Sequence, residues 1–378
     1  MKSIYCICCL LLFQMAFAQE AFVIKDVTLF DGEGIVNKTS VLVSNGKIER
    51  IAKRIKGDYE TIDGKGKFLM PALTNAHVHC WGQPLLVQAA QAGVLNVLDM
   101  HGVEPMQNFL AEAGKQSGAA RFYRAGYAAT AEGGHGTQFG FPVPVLEKPE
   151  DAEQWIKDRV EAQVDYIKII YEPWKNTHTI QTVTALVQQA HNYDKKAVVH
   201  ISNSQDAYAS YTAGADGLVH IWRKGSLTDA QLKEMASRSF FITPTLLTNV
   251  VMSKARANTS EEDVIALEEN LKKEIKRVYD AGIPLLAGTD PPNGNINMGT
   301  DLYKELIYFS EAGIPNLYVL KTATSLPAQY YGLAQVGHIK EGYLADLILL
   351  EKSPMDAMQN LDSIERIWKE GEEINISN

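Results

Sequence analysis

The stretch Met70-Pro-Ala-Leu-Thr-Asn-Ala-His77-Val-His79-Cys80 decides the fold. An apolar run leaves a glycine-containing turn (Gly64, Gly66) and ends in two histidines one residue apart. Side chains two apart on a β-strand point to the same face, so His77 and His79 project together. On a strand lining a barrel, both imidazoles would sit inward at its C-terminal end, where barrel enzymes keep their chemistry. A lone His-x-His also arises from ordinary surface or core histidines. The rest of the chain separates these readings, because it keeps placing metal-type side chains at the ends of apolar runs.

From Leu73 onwards strand-like and helix-like segments alternate. Eight apolar runs fit barrel strands: Leu73–His79, Val94–Met100, Arg121–Ala129, Asp165–Ile170, Ala197–Ile201, Gly217–Ile221, Phe240–Leu246 and Pro284–Asp290. Amphipathic segments lie between most of them, including Leu85–Ala92, Asp151–Val164, Thr182–Tyr193, Leu227–Ser237 and Glu261–Ala281. Eight βα units in about 260 residues suit a (β/α)8 TIM barrel of the α/β class. Residues 20–70 read instead as β-hairpins, with Ser44-Asn45-Gly46 as one turn, and the text turns β-like again from Gly337. The expectation is a barrel over 73–334 and a small composite β-sandwich built from both chain ends, 19–72 and 335–378.

Residues 1–18 open on Met1-Lys2, run apolar from Ile4 to Phe13 and close on Ala16-Phe17-Ala18. That pattern reads as a cleaved secretory signal and is too short for a membrane span. The protein is therefore expected to be exported, periplasmic or secreted, with no membrane attachment after cleavage. Of four cysteines only Cys80 would remain, which excludes an intramolecular disulfide. Cys80 follows His79 and should face the opposite way, packing against a helix. The formal charge of −9, without a basic run, argues against nucleic acid and anionic membrane surfaces as partners. The expected partner is a small-molecule substrate; association into a homo-oligomer is left open.

Several polar groups collect at strand ends. His77 and His79 close the first run, Lys168 lies in the fourth, His200 ends the fifth, His220 the sixth and Asp290 the eighth. Singly, each has a dull explanation: a snorkelling lysine, satisfied core histidines, an aspartate capping the turn at Pro291-Pro292. Together they would share one barrel mouth.

These residues carry a resemblance. Pro71-Ala-Leu-Thr-Asn-Ala-His-Val-His resembles the opening signature of the amidohydrolase superfamily, metal-dependent hydrolases on a (β/α)8 barrel. The order His-x-His, Lys, His, His, Asp is similar to its binuclear subgroup. Asp165-Tyr-Ile-Lys-Ile, Glu132-Gly-Gly-His135-Gly, Thr322-Ala-Thr-Ser-Leu-Pro-Ala and Gly342-Tyr-Leu-Ala-Asp346-Leu resemble the imidazolonepropionase-like and prolidase-like branch. The resemblance implies that His77, His79 and Asp290 bind one divalent metal and His200 and His220 the other, with Lys168 bridging them after carbamylation by CO2. Zinc suits imidazole and carboxylate ligands. It further implies a metal-bridging hydroxide that attacks a carbonyl, Asp290 as acid/base, and His135 touching the substrate or its oxyanion.

Tyr171, Arg223, Thr243 and Thr245 are candidate pocket residues, Arg223 suiting a substrate carboxylate; His101 receives no assigned role. Two features depart from the family: a short segment between His79 and the next helix, and Ile221-Trp222-Arg223-Lys224-Gly after His220 instead of a glycine-rich turn. The expected function is hydrolysis of a C–N bond in a cyclic amide or N-acyl compound. The alternatives are a prolidase-like dipeptidase or carboxypeptidase with the same centre, a single-metal deaminase or ring-opening enzyme, and a catalytically inactive barrel serving as a binding protein.

Overall fold

The computed structural model describes residues 21–376. The expected signal segment 1–18 lies outside them. Among the described residues no helix is long and apolar enough to cross a membrane.

The two chain ends meet in one eight-stranded mixed sheet. Its path runs Glu372–Glu373, Ile364–Lys369, Leu347–Leu350, Phe68–Pro71, Phe22–Phe30, Ile35–Ser44 and Lys47–Ala52, with Glu60–Asp63 pairing beside Phe22–Phe30. The hairpin at Asn45-Gly46 needs positive φ at both positions, 51° and 76°, which this pair tolerates. Ile24, Val27, Leu29, Val41, Leu69, Leu347 and Leu349 form a core of their own, and Phe22 stacks on Trp368 with ring centroids 5.4 Å apart. Phe68–Pro71 pairs with Leu347–Leu350 antiparallel, so the strand that leads into the His-x-His run is pinned by the C-terminal region.

Leu73–Val78, Val94–Asp99 and Arg121–Arg124 then form a three-stranded parallel sheet, and Ile167–Ile170, Ala197–His200, Gly217–Val219 and Phe241–Thr243 a four-stranded one. Parallel pairing requires crossovers, supplied by helices such as Gln83–Gln91, Ile180–Asn192 and Ser204–Thr212. The helices start where the sequence offers caps. Thr228 with Gln231 and Ser260 with Asp263 form capping boxes for Asp229–Met235 and Glu261–Asp280.

Two of the eight expected runs differ. Arg121–Ala129 is regular only to Arg124, because Gly126 turns the chain at φ 72°; beyond it Ala129 bridges to Ile169 and reaches the second sheet. Pro284–Asp290 is not a regular strand: Pro284 has no N–H to donate and Asp290 sits at φ 53°. The segment still spans the gap between sheets. Leu286 donates to the Ile242 carbonyl at 2.9 Å, Ala76 to Ala287 at 2.8 Å and Asp290 to His77 at 2.8 Å. Cys80 is buried in the large apolar cluster that includes Leu86 and Ala89 of helix Gln83–Gln91.

Candidate metal centre

His77 is the last but one residue of Leu73–Val78, and it is fully buried. Asn75, two residues earlier on the same face, fixes what surrounds it. Its side-chain oxygen accepts the backbone N–H groups of His77 (3.3 Å) and Thr289 (3.1 Å), and its amide donates to Thr289 Oγ1 (2.7 Å) and the Met298 carbonyl (3.1 Å). One side chain thus ties the His-x-His strand to the segment that delivers Asp290.

Asp290 Oδ1 lies 3.3 Å from His77 Nε2 and 3.2 Å from His79 Nε2. Burial pushes the Asp290 carboxyl up, but His77, His79 and His220 together hold it well below the usual range. Neither ring nitrogen of His77 nor Asp290 Oδ1 makes a well-aligned hydrogen bond, although all are buried. Buried groups of this kind pay a desolvation cost unless something else satisfies them. His77, His220 and Asp290 offer ligand atoms that all lie within 4.8 Å of one another. A cation fits this donor set.

The other histidines are oriented by what holds one ring nitrogen, which leaves the other free to bind. His79 Nδ1 donates to the His101 carbonyl at 3.2 Å, leaving Nε2 toward Asp290. His220 Nδ1 lies 2.6 Å from Thr245 Oγ1. His200 Nε2 donates to Glu172 Oε2 at 2.8 Å. Ring centroids of His77 and His220 are 4.9 Å apart, and those of His200 and His220 4.4 Å. Lys168 is buried in the same cavity wall and makes no hydrogen bond or ion pair among the described residues, and burial pulls its ammonium down to about 7. All six residues expected to ligate metal therefore converge; His79, Lys168, His200, His220 and Asp290 line one cavity of about 1040 Å³.

His135 also lines this cavity, its ring centroid 4.8 Å from that of His200. Gly136 N–H donates to Gln138 Oε1, which turns the Gln138 amide nitrogen toward His135 Nδ1 at 3.2 Å. Nδ1 then accepts, the ring proton sits on Nε2, and burial pulls the ring down to about 4, so His135 is a neutral donor. His101 holds the same loop: its Nδ1 accepts from Ala128 N–H at 2.9 Å and its Nε2 donates to the Gly136 carbonyl at 3.1 Å.

Three expected pocket residues are corrected. Tyr171 packs against the apolar core, because Lys168, Ile170 and Glu172 share the cavity face and the residue between them points away. Thr245 is fully buried behind His220, which it orients, and Thr243 is fully buried without lining the cavity. Arg223 does line it, on a backbone fixed by its N–H to the Ser202 carbonyl at 3.0 Å. The neighbouring Trp222 is buried and donates to Glu274 Oε2 at 2.7 Å, anchoring the unexpected Ile221-Trp-Arg-Lys turn on helix Glu261–Asp280. Glu172 and Asn75 were not singled out by sequence. The only linear signal for Glu172 is its spacing of four from Lys168 in extended chain.

A parallel α/β fold with buried imidazoles, a lysine and an aspartate at its strand ends defines a class of metal-dependent hydrolases. The chain belongs to the amidohydrolase family, whose model matches residues 68–375; it is an enzyme acting on carbon–nitrogen bonds. It is 22% identical to a 5-methylthioadenosine/S-adenosylhomocysteine deaminase of Caldicellulosiruptor saccharolyticus, over 91% of this chain and 88% of that one. Among solved structures it is similar to a Xaa-Pro dipeptidase with bound methionine in the active site (TM-score 0.81, 22% identity, 94% of this chain and all, 100%, of that one). It is also similar to the ochratoxinase of A. niger (TM-score 0.80, 18% identity, 94% and 95% covered).

Proposed function

We propose that the chain is an exported amidohydrolase with a binuclear metal centre, hydrolysing the C–N bond of an N-acyl compound or cyclic amide. The observation that carries this reading is the convergence of buried, unsatisfied His77 and Asp290 atoms with three oriented imidazoles around a lysine that has no partner among the described residues. His77, His79 and Asp290 would hold one cation, His200 and His220 the other. Lys168, pulled toward neutrality by burial, keeps the free amine that reaction with CO2 requires, and its carbamate would lie between them. Zinc matches the donors. When bound, the cations supply Lewis acidity, polarising a carbonyl and making water acidic near neutral pH.

The chain's own groups do the rest. Asp290 accepts the proton of the attacking water and passes it to the leaving nitrogen. His135, with its proton on Nε2, donates to the developing oxyanion. Arg223 has no ion-pair partner among the described residues and faces the cavity, which suits a substrate ending in a carboxylate. That observation favours N-acyl amino acids over uncharged cyclic amides, and it keeps a prolidase-like dipeptidase as the second reading.

Hydrogen bonds across 284–290 and at Ala129 support a closed (β/α)8 barrel over 73–334. The shared sheet of both chain ends supports a β-sandwich over 19–72 and 335–378. Export rests on the signal-like sequence of residues 1–18.

The test is a substrate panel with metal-loaded protein: N-acyl amino acids, Xaa-Pro and other dipeptides, and cyclic imides. Turnover of N-acyl or cyclic amides is expected. Turnover of dipeptides alone would replace this reading with the second, and adenosine-type deamination without amide hydrolysis would overturn both.

A further inference from the structure

Glu172 stands just beyond strand Ile167–Ile170, on the cavity face, and is only 2% exposed. Both its carboxylate oxygens are committed: Oε2 accepts from His200 Nε2 at 2.8 Å, and Oε1 from the Ser202 hydroxyl at 2.5 Å. Its backbone is fixed too, its N–H donating to Thr177 Oγ1 at 3.0 Å and its carbonyl accepting from Lys175 N–H at 3.3 Å. Ser202 and His200 lie together at the end of the next strand, so the carboxylate spans two adjacent strand ends.

The four strand-end imidazoles are not treated alike. His79 gives its second nitrogen to a backbone carbonyl and His220 to a hydroxyl, while His77 has no such partner. His77 and His79 face Asp290, itself one of the expected metal-binding set, whereas among the described residues His200 is the one of these four held by a carboxylate outside that set. A carboxylate behind an imidazole fixes the tautomer, places the lone pair on the opposite nitrogen and makes that nitrogen a stronger donor. For His200 the opposite nitrogen is Nδ1, which has no hydrogen-bond partner among the described residues.

We propose that Glu172 is the positioning residue of the His200–His220 pole: it presents His200 Nδ1 as a metal ligand and strengthens that pole. Ser202 is its accessory, holding the second oxygen so that the carboxylate cannot rotate away from His200. This rests on the metal reading above.

The experiment is a competitive chelator titration of zinc on the full-length wild type, Glu172→Gln, Glu172→Ala and Ser202→Ala, with metal content by mass spectrometry and zinc-induced change in Tm as a readout independent of turnover. In the wild type two zinc equivalents are expected. Glu172→Ala should weaken one equivalent by roughly 10–100-fold and leave the other unchanged. Glu172→Gln, which keeps a neutral acceptor and the packing, should fall between the wild type and Glu172→Ala, and Ser202→Ala should weaken that equivalent less than either. If Glu172→Ala does not fold, Glu172→Gln carries the test. Unchanged affinity of both equivalents in Glu172→Gln and Glu172→Ala, or equal weakening of both, overturns the assignment while leaving the metal reading intact. Failure of the wild type to bind two zinc ions overturns the metal reading itself.

Discussion

Three side chains at the site stand on left-handed backbone: His220 at φ 73°, Thr245 at 50° and Asp290 at 53°. An aspartate tolerates that region; a histidine does so less readily and a β-branched threonine rarely. Such positions cost on the order of 1–3 kcal/mol each and cluster where function dictates the geometry. Here they turn the His220 imidazole toward His77, seat Thr245 behind it, and aim the Asp290 carboxylate between His77 and His79. Asp290→Asn keeps this shape but cannot shuttle a proton. It is expected to retain fold and most metal while turnover falls at least about 100-fold, measured by steady-state kinetics; wild-type turnover would remove Asp290 as acid/base. Asn75→Ala strands two buried N–H groups and should cost about 2–4 kcal/mol, read as a lower urea midpoint; an unchanged midpoint would remove its clamp role.

The side chains that converge at the site were legible residue by residue because histidine, lysine and aspartate are conspicuous at the ends of apolar runs. Glu172 was not, since Tyr171-Glu-Pro-Trp reads as turn text and its partner His200 is 28 positions away. Tyr171 was misjudged by taking sequence adjacency for shared direction, when alternation sends it to the other face.

At the scale of elements, helix Leu246–Lys254 has no side-chain cap of its own, and Thr245 precedes it in a left-handed turn. Its first two N–H groups are instead accepted by Glu305, one carboxylate oxygen each, at 2.8 Å. Glu305 comes from helix Asp301–Glu311 and is fully buried, so the cap locks that helix to the turn behind His220. Glu305→Ala leaves two buried donors unpaired and should cost about 2–4 kcal/mol, seen as a lower denaturant midpoint with partial loss of zinc. A surface-like effect below about 0.5 kcal/mol would contradict it. No sequence pattern marks this cap, because its donor and acceptor are 58 and 59 residues apart. Element type was more legible than element end. Gly126 and Pro284 shorten two expected strands for local reasons the text did contain, whereas the ladder through 284–290 depends on neighbours that only the fold supplies.

Across the whole molecule, the site concentrates imidazoles that burial keeps neutral. Burial lowers His77 to about 3, His101 to about 3 and His135 to about 4, and holds His200 and His220 well below their ordinary value. With unfolded values near 6.5, the unfolded chain binds more protons between about pH 6.5 and 3, so stability is present above that window and lost as pH falls through it. Several groups oppose this. Burial pulls His79 down, but Asp290 raises it overall, and burial pushes Asp99 up to about 6 and Glu305 up to about 8 and raises Asp165 and Asp206. With His178 and His338 lowered by burial as well, the lowered imidazoles outnumber them, so the metal-free protein should show a lower urea midpoint at pH 4.5 than at pH 7; equal midpoints would contradict the buried neutral imidazoles. The joining of both chain ends in one sheet was legible from β-like text at each end. Substrate choice was not, since the cavity is lined by side chains such as Arg223 and His135, whose directions are set by loops.

The claim on which the rest depends is that Lys168 stands between two cations. It is tested most directly by counting metal per chain, by mass spectrometry, in zinc-reconstituted wild type and Lys168→Ala prepared side by side. The wild type should carry close to two ions, and Lys168→Ala should lose at least one together with its turnover. One ion or none in the wild type, or two ions and full turnover without the lysine, would contradict the account.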